Sequence, residues 1–222
     1  MKLPHFTEGT QATRSNLRRA NRLTEPGCPT YNGKPESIHA IIEWLNVEKS
    51  PRYQPNPTQT FCNIYAYDYA DKLGAYLPRV WWNTAALKRV NSGEDVPVIY
   101  PRNGVPGTIV EMNANSIYEW FENVAPKAGW RKIESKTEAQ NIANAGKCVI
   151  MVGANLVSRA SGHITAIVPE TDKHKAAGSK GISNVRTVLV PLQSQAGRTC
   201  WKYRAFDWQK GHQQIMMYVW EG

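Results

Sequence analysis

Thr58-Gln59-Thr60-Phe61-Cys62-Asn63-Ile64-Tyr65-Ala66-Tyr67-Asp68-Tyr69-Ala70-Asp71-Lys72-Leu73-Gly74 decides how the chain is read. Upstream, Pro51, Pro55 and Pro57 exclude a continuous helix. Thr60 offers an N-cap oxygen. Phe61, Tyr65, Tyr69 and Leu73 then recur at spacing four, with Ala66 and Ala70 between them. Gly74 is a natural stop. The pattern predicts a largely buried helix with Cys62 in its first turn, where unpaired N–H groups and the positive end of the helix dipole gather. That setting stabilises a thiolate and lowers a cysteine pKa, as a nucleophile requires. The competing reading is a small buried hydrophobe, because free cysteine is among the most buried residue types.

Working outward, Ser37 is positioned to cap a helix whose Ile38, Ile41, Ile42 and Leu45 share one face. Residues 1–35 are polar, with a basic cluster at Arg14, Arg18, Arg19 and Arg22. Residues 1–50 therefore read as an arm and helix, packed on or appended to a domain over 51–222. Downstream, Leu77-Pro78-Arg79-Val80-Trp81-Trp82 reads as a compact apolar turn whose Trp pair covers the helix or lines a groove. Residues 91–111 read as loop. Two S-x-x-E boxes, Ser116 with Glu119 and Ser135 with Glu138, predict two further helices. Then the period changes. Cys148–Val152, Gly162–Pro169, Thr187–Leu192 and Gln213–Trp220 read as strands, with 171–186 as a mobile polar loop. Helices first and strands last predict an α+β fold with an antiparallel sheet of four or more strands.

Composition bounds the function. A length of 222 residues, 41% apolar and 20% charged, suits one sizeable core. The net charge of +9 points to polyanionic surroundings: nucleic acid, anionic lipid or an acidic wall polymer. The basic residues are scattered rather than clustered, which argues against nucleic acid. Cys28, Cys62, Cys148 and Cys200 form no C-x-x-C pair, and no metal or cofactor is expected. Cys28 and Cys200 flank turns and are candidates for a disulfide in an oxidising compartment. Neither a membrane span nor a secretory leader is visible, so a substrate outside the cytoplasm would need another route of delivery. Nucleotide-binding and zinc-protease motifs are absent, and Glu111, Glu119 and Glu122 make only a weak glycosidase pair.

A cysteine nucleophile needs a base. Of five histidines, His5, His39, His174 and His212 lie in the arm, the early helix, the lysine-rich loop and a turn, whereas His163 begins a strand behind Gly162. The competing reading is a strand-edge histidine with one hydrogen bond. Gln193, Gln195 and Glu170 are candidates to orient the imidazole. Gln59 and Asn63 are the amides nearest the Cys62 N–H, as an oxyanion hole requires. Trp81 and Trp82 are further candidates to bind substrate.

Taken together, Thr60-Phe61-Cys62-Asn63-Ile64-Tyr65 with Asp68, Arg52-Tyr53, Leu77-Pro78, Ala139-Gln140 with Ala143–Gly146, Gly162-His163-Ile164 with Pro169-Glu170, and Gln195-Ala196-Gly197 resemble papain-like peptidoglycan hydrolases of the NlpC/P60 and CHAP superfamily. The resemblance spans roughly residues 50–200. It implies a cysteine amidase or endopeptidase cleaving an amide of the cell-wall peptide stem, with Cys62 as nucleophile and His163 as base. In the third position, usually His, Glu, Asn or Asp, this chain offers Gln193 or Gln195. A lytic enzyme without a leader resembles a phage lysin or an antibacterial toxin. Such a toxin is delivered by a secretion machine to the periplasm or wall of a target cell and is paired with an immunity protein. The alternative class is a non-catalytic basic module binding a wall polymer or nucleic acid through stacked aromatics.

Overall fold

The computed structural model describes residues 22–155, 161–180, 186–209 and 214–222. The arm residues before Arg22 and the turn histidine His212 lie outside them. The fold is α+β: five helices and a six-stranded antiparallel sheet among the described residues.

Helix α1 spans Pro35–Leu45 and buries Ile38, Ile41 and Ile42 completely. Its N-cap is Lys34, followed by Pro35, whose missing N–H costs nothing at a helix start. Ser37, expected as the cap, lies inside the first turn. Its hydroxyl donates to the Lys34 carbonyl at 2.7 Å and accepts from the Asn32 N–H at 3.3 Å. Helix α2 spans Cys62–Lys72. Thr60 is not its cap: Phe61 holds that position and contributes no side-chain hydrogen bond. The N-terminal N–H groups of α2 are therefore left for other partners. Tyr65, Ala66, Tyr69 and Ala70 are fully buried, and even Asp68 and Asp71 are covered. A helix buried on nearly all sides is central rather than amphipathic. Gly74, at φ 77°, turns the chain away from it.

The segment read as an apolar turn and loop is more ordered than expected. β1 (Val80–Trp82) pairs antiparallel with β2 (Ile109–Glu111), and α3 (Thr84–Asn91) lies between them, capped by the Asn83 side chain on the Ala86 N–H. α4 (Ala114–Asn123) starts two residues before the expected hydroxyl box. Asn113 caps it by accepting from the Ser116 N–H at 2.9 Å. β3 (Trp130–Ile133) was not foreseen. α5 (Lys136–Asn144) is capped by Ser135 as expected, while Glu138 turns to Arg131 at 3.1 Å.

β4 (Val149–Ala154), β5 (His163–Ile167), β8 (Gln193–Gln195), β9 (Trp201–Arg204) and β10 (Gln214–Trp220) join β3 in the order β3-β10-β4-β5-β8-β9. The expected third strand does not enter this sheet. β7 (Arg186–Val190) pairs instead with β6 (Ala177–Lys180), inside the stretch read as a mobile loop. A reason is visible in Glu170, which takes both Arg186 amino groups at 2.7 and 2.8 Å and pins the hairpin's base. The chain enters the large sheet only after Pro191, which has no N–H to give a ladder.

Strand alternation splits the core. Ile150, Val152, Ile164, Ala166 and Tyr218 face α2 and α4, while Val149, Met151, Ile167, Met217 and Val219 face α5. α1 belongs to the first of these clusters. No helix among the described residues is long and apolar enough to cross a membrane.

Candidate active site

The N-terminus of α2 meets the large sheet at the start of β5. An ionic cluster seats the helix. The Asp68 carboxylate, with no exposed side-chain surface, accepts from Arg52 Nε at 2.6 Å, Arg52 Nη2 at 3.0 Å and the Tyr53 hydroxyl at 2.9 Å. Burial nevertheless pushes the Asp68 pKa up, more than Arg52 and Tyr53 draw it down. One turn earlier, the Tyr65 hydroxyl shares a 2.5 Å hydrogen bond with Ser194 of β8. Arg52, Tyr53 and Asp68, three residues that carried the family resemblance, thus tie the helix to the turn that precedes it, and Tyr65 ties it to the sheet.

Cys62 is the first residue of α2 and is 5% exposed. Its sulfur is met by the backbone N–H groups of Ile164, Asn63 and Cys62 itself. The expected lowering of its pKa is reversed. Burial pushes the thiol up, and the three N–H groups offset this only in part. The helix-start signal is present in the sequence, but the desolvation that outweighs it depends on what covers the sulfur, which the sequence does not display.

His163 precedes Ile164, so the strand that touches the sulfur also carries the imidazole. His163 Nε2 makes a very short contact with Gln195 Oε1 on neighbouring β8. The other end of that amide is committed, because Gln195 Nε2 donates to the Thr199 carbonyl at 3.1 Å. The amide orientation is therefore set, and Oε1 is the atom that faces the ring. A carbonyl oxygen only accepts, so the neutral imidazole carries its proton on Nε2 and leaves Nδ1 as the basic nitrogen. The Trp208 indole packs edge-on against the imidazole, ring centroids 4.8 Å apart. It lies over Gly153, the register partner of His163, where any Cβ would come within 2.7 Å of the indole.

Gln193 does not share this role. It is fully buried, accepts from Thr165 at 3.2 Å and from Trp208 Nε1 at 2.6 Å, and donates to the Pro191 and Phe206 carbonyls. It fixes Trp208 and leaves the His163 contact to Gln195. Glu170 is spent on Arg186, Asn144 and the Ala176 N–H.

Two adjoining hollows, of about 780 and 440 Å3, meet at Thr60, Ser161, Gly162 and Arg198 beside these residues. The larger is lined by the neighbours of Cys62 (Thr60, Phe61 and Asn63) and by Gln59, Arg79 and Glu111. The smaller is lined by His163, Gln195 and the aromatic side chains of Trp201, Phe206 and Trp208. Gly162 is needed at the seam, since a Cβ there would lie 2.4 Å from Asn115 Oδ1 and 2.5 Å from the Gly153 carbonyl. Gln59 lines the hollow with its carbonyl oxygen taken by Asn56 Nδ2 at 3.2 Å. Asn63 donates to the Met112 carbonyl at 2.9 Å and to Glu111 at 3.3 Å, and so ties α2 to the wall. Trp81 and Trp82 line neither hollow. Both are fully buried, which corrects their reading as substrate-binding residues.

All four cysteines are free. Cys28 and Cys200 each hydrogen-bond a separate backbone carbonyl, of Pro29 and Tyr53, rather than forming the bridge considered above. Among the described residues, no three His, Cys, Asp or Glu side chains converge as metal ligands. Trp208 and Arg79 were missed from sequence. Trp208 sits in a segment without periodicity, and Arg79 lies in a stretch read as an apolar turn. Comparison with known proteins finds no family model that matches the chain and no match among the curated proteins.

Proposed function

We propose that the protein is a papain-like cysteine hydrolase that cleaves an amide of the bacterial peptidoglycan peptide, by the chemistry of the NlpC/P60 and CHAP enzymes it resembles. The observation that carries the reading is the fixed His163–Gln195 pair at the start of the very strand whose next N–H meets a helix-terminal cysteine.

His163 acts first as a general base. Nδ1 takes the Cys62 proton as the sulfur attacks the amide carbonyl. The Cys62 N–H and the Gln59 amide are the donors for the developing oxyanion. The imidazolium, held by Gln195, gives its proton to the leaving amine. Water, deprotonated by His163 in turn, then releases the acyl group from sulfur. The substrate assignment rests on the family resemblance and is supported by a net charge of +9 beside an anionic wall. Action in the periplasm or on the wall of a target bacterium, as a delivered toxin with an immunity protein or as a phage-type lysin, follows from that substrate.

A second reading has one observation in its favour: Arg204 sits over the rings of Phe206 and Trp201 at 5.2 and 5.5 Å, a stacking platform that a non-catalytic polymer-binding module would use. Muropeptide analysis of digested sacculi separates the two. New peptide-stem products from wild type, lost in Cys62→Ala, support the hydrolase. No products, or equal products from the variant, would overturn it.

A further inference from the structure

The oxyanion role of Gln59 depends on which end of its amide faces the cleft, and a tight turn before α2 decides it. The Asn56 N–H donates to the Gln59 carbonyl at 3.1 Å and closes the turn. Asn56 Oδ1 accepts from the Gln59 N–H at 2.8 Å, the Thr58 N–H at 3.0 Å and the Thr58 hydroxyl at 3.1 Å. Backbone N–H groups only donate, so they fix Oδ1 towards the turn and leave Nδ2 on the other side. Nδ2 donates to Gln59 Oε1 at 3.2 Å. The second amide is set in turn. Its oxygen is occupied, and Gln59 Nε2, without a partner among the described residues, is the end left for the hollow beside Cys62. The reversed amide would present an oxygen to the developing negative charge instead of a donor.

The turn is braced from across the cleft. Arg198 lines both hollows, and its Nη1 donates to the Asn56 carbonyl at 2.7 Å. Beside it, Thr199 supplies the carbonyl that holds Gln195 Nε2 at 3.1 Å. On its other side, Gly197 leaves room for that amide, since a Cβ there would come within 2.8 Å of Gln195 Nε2. One short segment thus holds Gln195 directly and Gln59 through Asn56. We propose that Asn56 is a positioning residue: it acts through Gln59, turning that side chain's NH2 group to the oxyanion, while Arg198 ties the Asn56 turn to the segment that holds Gln195. This rests on the hydrolase reading and deepens it.

The test compares wild type, Asn56→Asp, Gln59→Leu and the double variant on cross-linked disaccharide-tetrapeptide dimers, which contain the glycan–peptide, stem and cross-link amides of the wall. Asn56→Asp keeps the oxygen that organises the turn and replaces the donor with a second oxygen. Gln59 then turns Nε2 onto the new carboxylate and Oε1 to the cleft. The expected result is a kcat lower by about 10²-fold or more with KM little changed, the loss that follows removal of one oxyanion donor. Gln59→Leu loses a similar factor, and adding Asn56→Asp to it costs nothing further, because residues that act as one unit are not additive. Asn56→Ala, which frees Gln59 without adding charge, loses less and is read in the same way should Asn56→Asp fold poorly. A kcat for the Asn56 variant close to wild type overturns the positioning role. So does a loss carried by KM, or one that adds in full to that of Gln59→Leu. In each of these cases wild type still cleaves and the hydrolase reading stands. Wild type inert on the dimers overturns both.

Discussion

Replacing Arg52 by Met removes the cation from the most deeply buried carboxylate of α2. Asp68 has no exposed side-chain surface, and two of its three hydrogen bonds come from Arg52. Breaking a buried pair by deleting one partner costs about 3–5 kcal/mol. Arg52 keeps 26% of its side-chain surface exposed, so the lower end, about 3 kcal/mol, is expected. In a chain of this size each kcal/mol moves Tm by about 2–4 °C, so the variant should melt roughly 6–12 °C lower near neutral pH. The pH dependence has a defined sign. Burial already holds the folded-state pKa of Asp68 above its ordinary value, and loss of Arg52 raises it further. A raised carboxylate pKa destabilises the fold only where the group is ionised, so the deficit must shrink as pH falls and Asp68 takes up its proton. Urea denaturation of wild type and Arg52→Met across pH measures this. A loss under about 1 kcal/mol, or one that does not shrink as pH falls, would refute the argument that this cluster seats the helix.

Gly162→Ala places a methyl against Asn115 and the Gly153 carbonyl, and should cost about 1–3 kcal/mol of stability in thermal unfolding, since overpacked sites behave so. Burial raises the Glu170 pKa, but Arg186, the Ala176 N–H and Asn144 outweigh it and hold it at about 2, against an ordinary 4.5. A depressed carboxylate pKa contributes stability that is present above the ordinary value and lost as pH falls towards 2, so the denaturation midpoints of wild type and Arg186→Met should converge in acid. Gln195→Leu releases the imidazole tautomer and should lower kcat roughly 10²-fold or more while KM changes little, as measured on a stem peptide.

The elements that local pattern controls were legible in the sequence. The helix from Cys62 with its repeat of tyrosines, the α5 cap at Ser135, and the strands at Val149, His163 and Gln214 all stand where periodicity puts them. Failures came where tertiary contacts decide. The Asn83 and Asn113 caps were overlooked because asparagine reads equally as loop. β3 and β9 alternate too briefly to register without their partners. Thr187–Val190 is a good strand, but Arg186 and Glu170 fasten it to a hairpin rather than to the large sheet. At the site, Cys62, His163 and Gln195 were all named, whereas the choice of Gln195 over Gln193 needed the fold. Both glutamines are on β8, but Gln193 is consumed by Trp208 and Thr165. The direction of the Cys62 pKa was misread because a helix start is visible in sequence and the cover over it is not.

The central claim is that His163 activates Cys62, and the four thiols of this chain allow a direct test. By exposure alone, the partly exposed Cys28 and Cys200 should react first and the buried Cys62 and Cys148 last, because burial raises the pKa of all four. Iodoacetamide labelling of the native protein near neutral pH, mapped cysteine by cysteine by mass spectrometry, ranks them. The account predicts that Cys62 labels fastest despite its burial, and that His163→Ala drops it to the rate of Cys148. A ranking that follows exposure, with Cys62 as slow as Cys148 in wild type and unchanged in His163→Ala, would contradict it.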